Sequence, residues 1–124
     1  NHHELGEIFG VTIETEEQIV NYAKQLQQMG ARNVLISRGG DGAMLITETG
    51  EVYTSNVPKG TLVNSVGAGD SMLSGFMAKF IETGDYAASL RQGAATGSAT
   101  AFSVGIAEKE FIEELLPQVV VTKQ

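Results

Sequence analysis

The sequence predicts an α/β fold from three features: an amphipathic helix followed by a short apolar strand, a β-hairpin after that strand, and a later helix that opens on a glycine turn. The first helix begins at Thr15-Glu16-Glu17-Gln18, a capping box. It continues through Ile19, Tyr22, Ala23, Leu26 and Met29 at helical spacing until Gly30 stops it. Asn33-Val34-Leu35-Ile36-Ser37 is too short for a helix, is flanked by glycine and polar residues, and reads as a buried strand.

After Arg38-Gly39-Gly40-Asp41-Gly42 the chain runs from Ala43 to Thr47, turns at Thr49-Gly50 and returns over Glu51 to Thr54. This is a hairpin, expected at the sheet edge. Val57-Pro58 and Thr61-Leu62-Val63 then lead through a loop to Gly67-Ala68-Gly69-Asp70, where a helix opens. Met72, Leu73, Phe76, Met77, Phe80 and Ile81 are expected on its apolar face. Asp85 can cap a further helix rich in small residues, among them Gly93, Ala94, Ala95 and Gly97, which Gly105 is expected to end. A last helix carries Phe111, Ile112, Leu115 and Leu116 and stops at Pro117, leaving Val119-Val120-Val121 as strand or tail.

At 124 residues, 42% apolar and 19% charged, the chain has the size and composition of one soluble globular domain. A net charge of -7, with eight scattered Lys and Arg, excludes the basic groove that nucleic acid requires. With no cysteine there are no disulfides or thiolate metal sites, which fits a cytoplasmic protein, and no apolar run reaches membrane-spanning length. The chain opens at Asn1 directly on a helix-starting stretch, so a piece of a longer protein is expected.

The most informative segment is Asn64-Ser65-Val66-Gly67-Ala68-Gly69-Asp70-Ser71. Its glycines let an anion approach the main chain, and the positive end of the following helix favours phosphate. A carboxylate there would repel phosphate if it held the same atom. Asp70 is therefore read as the general base for an attacking hydroxyl, with a plain helix cap as the alternative. No Lys follows the glycines, so this is not a Walker A loop, and a third glycine at dinucleotide spacing is missing. Ser37-Arg38-Gly39-Gly40-Asp41-Gly42 is a second glycine turn, against which a ligand can lie or which merely joins two strands. Asn1 and Glu4 share one side of a helical turn, suiting them to hold hydrated Mg2+. His2 and His3 should point apart with no third ligand in sight, and are expected in solvent.

Together, the N-x-x-E start, the S-x-G-x-x-G turn and N-S-V-G-A-G-D-S-M-L-S-G-F resemble the PfkB, or ribokinase-like, carbohydrate kinase family across essentially the whole chain. The resemblance implies that residues 1–124 form the C-terminal, ATP-binding and catalytic part of a three-layer α/β/α sandwich. It implies that the sugar-binding part and lid lie in an absent N-terminal portion, so the fragment alone is expected to be inactive. It implies ATP and Mg2+, and a sugar phosphate as acceptor. Fructose 1-phosphate is expected, with tagatose 6-phosphate or another sugar as alternative, and a homodimer of the complete protein stays open.

Residue by residue, the resemblance makes Asp70 the proton acceptor and gives the Gly67, Ala68 and Gly69 amides the transferring phosphoryl group. Ser37, Arg38, Gly39, Gly40, Asp41 and Gly42 then line the nucleotide's phosphate and ribose side, and Ala94 packs near adenine. Asn1 and Glu4 match the family's Mg2+ and phosphate motif. Neutral Asn64 stands where potassium-activated relatives commonly carry Asp, which favours the phosphosugar branch. The Arg38 guanidinium is expected to neutralise a phosphate, with solvent exposure as the alternative. A nucleotide sensor without transfer and a purely structural domain are the competing classes.

Overall fold

The computed structural model describes residues 1–105 and 107–124. Asn1 caps α1 (His2–Phe9), its Oδ1 accepting the Glu4 amide at 2.9 Å. The expected capping box opens α2 (Glu16–Gln28): Thr15 Oγ1 accepts the Gln18 amide, and Gln18 Oε1 accepts the Thr15 amide. Met29 falls just past the last helical turn and is exposed instead of joining the apolar face.

The strands β1 (Val34–Ser37), β2 (Ala43–Ile46), β3 (Val52–Ser55) and β4 (Val121–Lys123) form one antiparallel sheet in the order β1-β2-β3-β4. The hairpin is β2–β3, and β4 adds a strand outside it. The C-terminal run is thus a strand, begun two residues later than the valines suggest. An ion pair between Lys123 and Glu51 ties β4 to the hairpin.

Strand alternation then builds the layers. Val34, Ile36, Met44, Ile46 and Val52 face Leu5, Ile13, Ile19 and Ala23 on the α1–α2 side. Leu35, Ala43, Leu45 and Tyr53 face Met72 and Phe76 of α3 (Ala68–Thr83) and Leu90 of α4 (Tyr86–Ala101). Helices therefore cover both faces, and β2 is buried along its whole length. Beyond α4, Leu115 of α5 (Lys109–Leu115) packs with Ala95 and Ala99.

The apolar face expected for α3 splits in two. Met72 and Phe76 are buried, whereas Leu73, Met77 and Ile81 form an exposed stripe beside them. Six apolar positions spread over more of the helix surface than one neighbouring layer can cover. Likewise α4 ends at Ala101, four residues before Gly105, where Ser103 Oγ donates back to the Ala99 carbonyl at 2.7 Å.

The two helices approach closely because α4 presents glycine where α3 presents main chain. A Cβ on Gly93 would lie 2.8 Å from the Met72 carbonyl oxygen, and one on Gly97 would lie 3.0 Å from that of Ala68. On α3, a Cβ at Gly75 would meet Thr96 Oγ1 at 2.5 Å. Backbone cannot move aside as a flexible side chain can, so overpacking here costs stability. Gly93→Val in the complete protein should lose about 1–3 kcal/mol in urea unfolding, while Gly40→Ala, which meets no neighbour, should not. Equal stability of Gly93→Val and wild type would remove this packing as the cause.

Candidate functional site

A cleft of about 870 Å³ opens between the ends of β1–β3, the start of α1 and the α3–α4 pair. Ser65, Ala68, Gly69, Ser37 and Gly40 line it with polar main chain, while Val57, Pro58, Leu62, Ala94 and Phe102 line it with apolar surface.

The loop before α3 is built in small steps. Asn64 Oδ1 accepts the Val66 amide at 3.0 Å, and Ala68 N–H donates to the Ser65 carbonyl at 3.1 Å, closing a turn. Gly67 occupies its third position with φ 81° and ψ -4°, the left-handed conformation of a type II turn. The Val63 and Asn64 amides both donate to the Ala101 carbonyl, at 2.8 and 3.1 Å, which pins the loop to the end of α4. Thr100 Oγ1 donates to Ser71 Oγ at 2.9 Å and pins the first turn of α3 to the same place.

The α3 cap position is Gly67, with no side chain satisfying the amides that follow. Among the described residues, the Gly67, Gly69 and Asp70 amides have no acceptor, and they lie at the positive end of a 16-residue helix. This alters the expected trio, because the Ala68 amide is used by Ser65. Asp70 is the third residue of α3 and is exposed, and its carboxylate makes no hydrogen bond among the described residues. The cap position is thus held by Gly67, and Asp70 is the acidic residue of the first turn of α3. Its neighbour Gly69 lines the cleft, whereas Asp70 itself stands outside the lining.

Gly69 is unexplained by the fold. Its backbone is ordinary helix, and a Cβ there would meet no heavy atom within 4 Å. Glycine in a helix costs about 1 kcal/mol relative to alanine, so folding alone favours alanine. Gly40 is in the same position: no positive φ, no close neighbour, and a place in the cleft wall. Gly42 differs, since a Cβ there would fall 1.8 Å from the Ser55 carbonyl oxygen.

Of the Ser37 to Gly42 turn, all but Asp41 line the cleft. Arg38 departs from the solvent-exposed alternative. Its side chain is only 14% exposed, and its Nη1 donates to Glu16 Oε1 at 2.8 Å while Nη2 donates to the Asp41 carbonyl at 3.2 Å. The guanidinium pairs with Glu16 and braces the turn against α2. Ala94 lines the cleft as buried apolar surface.

Asn1 lines the cleft, but Glu4 does not. The Glu4 side chain reaches back to the Asn1 main-chain nitrogen and completes a capping box at the start of α1. Among the described residues no group of three His, Cys, Asp or Glu is arranged for a metal. One amide oxygen and one carboxylate fit an ion held mainly by nucleotide oxygens and water rather than by a protein cage. His2 departs from the expected solvated state: it is half-buried, its ring centroid lies 4.0 Å from that of His3, and both line the cleft.

Sequence reasoning missed the wall made by residues 56–60 and Phe102. A Cβ on Gly60 would overlap the Phe102 ring at 2.4 Å, so the main chain lies flat on that ring. Asn56 Nδ2 donates to the Gln118 carbonyl at 3.0 Å and its Oδ1 accepts the Val120 amide at 2.7 Å, while Gln118 Oε1 accepts the Lys59 amide. In the sequence, Val57-Pro58 reads only as part of a loop. The latch partners lie some sixty residues away, and no local signal joins them.

This fold and cleft are those of a sugar-kinase family. The chain belongs to the pfkB family carbohydrate kinases, whose family model matches residues 1–111. It is 50% identical over 123 residues to 1-phosphofructokinase of Bacillus subtilis, covering 99% of this chain and 40% of that protein. It is 33% identical to D-tagatose-1-phosphate kinase of Klebsiella oxytoca, again covering 99% of this chain and 40% of the relative. Its structure superposes on Arabidopsis thaliana ribokinase complexed with ribose and ATP at a TM-score of 0.84 and 26% identity, covering 94% of this chain and 39% of the ribokinase. The fold is thus ribokinase-like, and the chain spans about two fifths of the length of these relatives. Among the described residues no helix is long and apolar enough to cross a membrane.

The Arg38–Glu16 pair predicts an acid limit on the brace. Hydrogen bonds from Arg38, and secondarily from Gln124, hold the Glu16 pKa below its ordinary value. A depressed carboxylate pKa stabilises the fold above the unfolded value, near 4.5, and that contribution is lost as pH falls through the lowered folded value. Glu16→Gln should therefore flatten the fall in melting temperature below about pH 4.5 relative to wild type. Identical acid limbs for the two proteins would show that the pair carries none of the dependence.

Proposed function

We propose that residues 1–124 form the C-terminal, ATP-binding and catalytic part of a kinase that phosphorylates fructose 1-phosphate to fructose 1,6-bisphosphate. One observation carries the reading: unused amides at the start of α3 sit beside an exposed carboxylate, on a glycine that the fold does not need. The names of the relatives support a sugar 1-phosphate as acceptor. D-tagatose 1-phosphate is accordingly the alternative acceptor, in place of the tagatose 6-phosphate that the sequence first brought forward.

In this reading the cleft receives ATP with its phosphates toward the Gly69 and Asp70 amides and its base against the apolar wall. The acceptor hydroxyl attacks the γ-phosphorus in line, forming the new P–O bond as the bond to ADP breaks. Asp70 takes the hydroxyl proton, and the amides stabilise the equatorial oxygens without reorganising. Asn1 and Glu4 would hold Mg2+ through water, and the ion would supply charge neutralisation for the phosphates. In a sensor that only bound phosphate the Asp70 carboxylate would stabilise the helix start but repel the ligand, whereas in transfer it also has a proton to accept. The acceptor-binding part belongs to the portion of the protein outside this chain.

Two substitutions in the complete protein test the assignment. Asp70→Asn should lower kcat about 100- to 10,000-fold with little change in the KM for ATP, and near-normal turnover would refute Asp70 as base. Gly69→Ala should leave the fold as stable or raise its stability by up to about 1 kcal/mol while sharply lowering kcat/KM. Unchanged kcat/KM would show that no substrate group passes close to that Cα. A phosphotransfer screen across fructose 1-phosphate, tagatose 1-phosphate, fructose 6-phosphate and ribose decides the acceptor.

A further inference from the structure

Among the described residues, two buried side-chain polar atoms lack a hydrogen-bond partner, His2 Nδ1 and Ser55 Oγ, and both residues line the cleft. Ser55 is the more telling, being 5% exposed and the last residue of β3. Buried hydroxyls in native proteins nearly always find a partner, because removing one from water without replacement is unfavourable. The sheet offers it none: its neighbours in register are Ala43 on β2 and Val121 on β4, both apolar. Alanine would fill the position without a buried polar atom, so packing does not account for the hydroxyl.

Its location does. By strand alternation Ser55 shares the sheet face of Ala43, Leu45 and Tyr53, the face beneath α3 and α4 on which the cleft lies. Gly42 presses on the Ser55 carbonyl closely enough to exclude any side chain, which fixes the strand end against the glycine turn. The residues that follow, Asn56, Val57 and Pro58, continue into the wall of the cleft. Ser55 thus joins the glycine turn to the apolar wall. A hydroxyl both donates and accepts, and rotation about χ1 moves it among staggered positions. That suits a ribose hydroxyl or a base nitrogen better than a phosphate, whose oxygens accept only and already have the α3 amides.

We propose that the Ser55 hydroxyl is a nucleoside-recognition group, hydrogen-bonding the ribose or base of the nucleotide in the cleft. This rests on the cleft being the nucleotide site. The test is calorimetric titration of MgADP into the complete protein, wild type and Ser55→Ala, with melting curves recorded without nucleotide. Ser55→Ala should weaken MgADP binding about fivefold, the effect of one hydrogen bond, while its nucleotide-free Tm stays level or rises. Affinity within about twofold of wild type, or a nucleotide-free Tm lowered by more than about 2 °C, would overturn the proposal and leave the hydroxyl with a structural role. With 2′-deoxy-ADP or 3′-deoxy-ADP, loss of the difference between the two proteins identifies the ribose hydroxyl as partner. Persistence with both analogues identifies the base. No MgADP binding by the wild type would instead defeat the nucleotide reading of the cleft itself.

Discussion

Everything at the cleft depends on how closely α4 can approach the start of α3. Gly93 and Gly97 let the α4 surface rest on the Met72 and Ala68 carbonyls, and that contact sets where the first turn of α3 begins. The end of α4 then holds the preceding loop through the Ala101 carbonyl and holds the turn itself through Thr100 and Ser71. A larger residue at either glycine would push back main chain rather than a side chain. The amides that define the site would shift with it.

The second organising fact is that the start of α3 presents unpaired main-chain amides in an acidic protein. The chain carries a net charge of -7, and the Lys and Arg residues lining the cleft are Arg38, paired with Glu16, and Lys59. Oriented amides at a helix start supply a fixed positive potential that needs no desolvated lysine and no reorganisation. They also leave a carboxylate three residues past the cap, that of Asp70, exposed. Arg38 keeps its place for mechanical reasons, bracing the glycine turn from behind.

The sequence and the structure agree best where the signal is local. The capping box at Thr15, the strand from Val34, the hairpin about Thr49-Gly50 and the helix opening at Ala68 all form where residue type and periodicity put them. They are encoded within a few residues, and the core supports the same choice. They diverge where one residue must be judged against a distant partner. Leu73, Met77 and Ile81 match the helical period as well as Met72 and Phe76 do, and only the position of α4 separates buried from exposed. Nothing local to Arg38 announces its pairing with Glu16, which α2 brings to it across twenty-two positions.

By itself, the sequence determined the α/β alternation, the two glycine turns and the acid beside the second of them. Each is a matter of backbone freedom and short-range hydrogen bonding, and so is written within a single turn or helix start. Tertiary structure alone decided which amides stay free, which glycines the fold requires, and that Ser55, His2 and the residues 56–60 belong to the same cleft as Gly69. Those outcomes depend on contacts between segments far apart in the chain, whose geometry is set by how closely packed elements can approach.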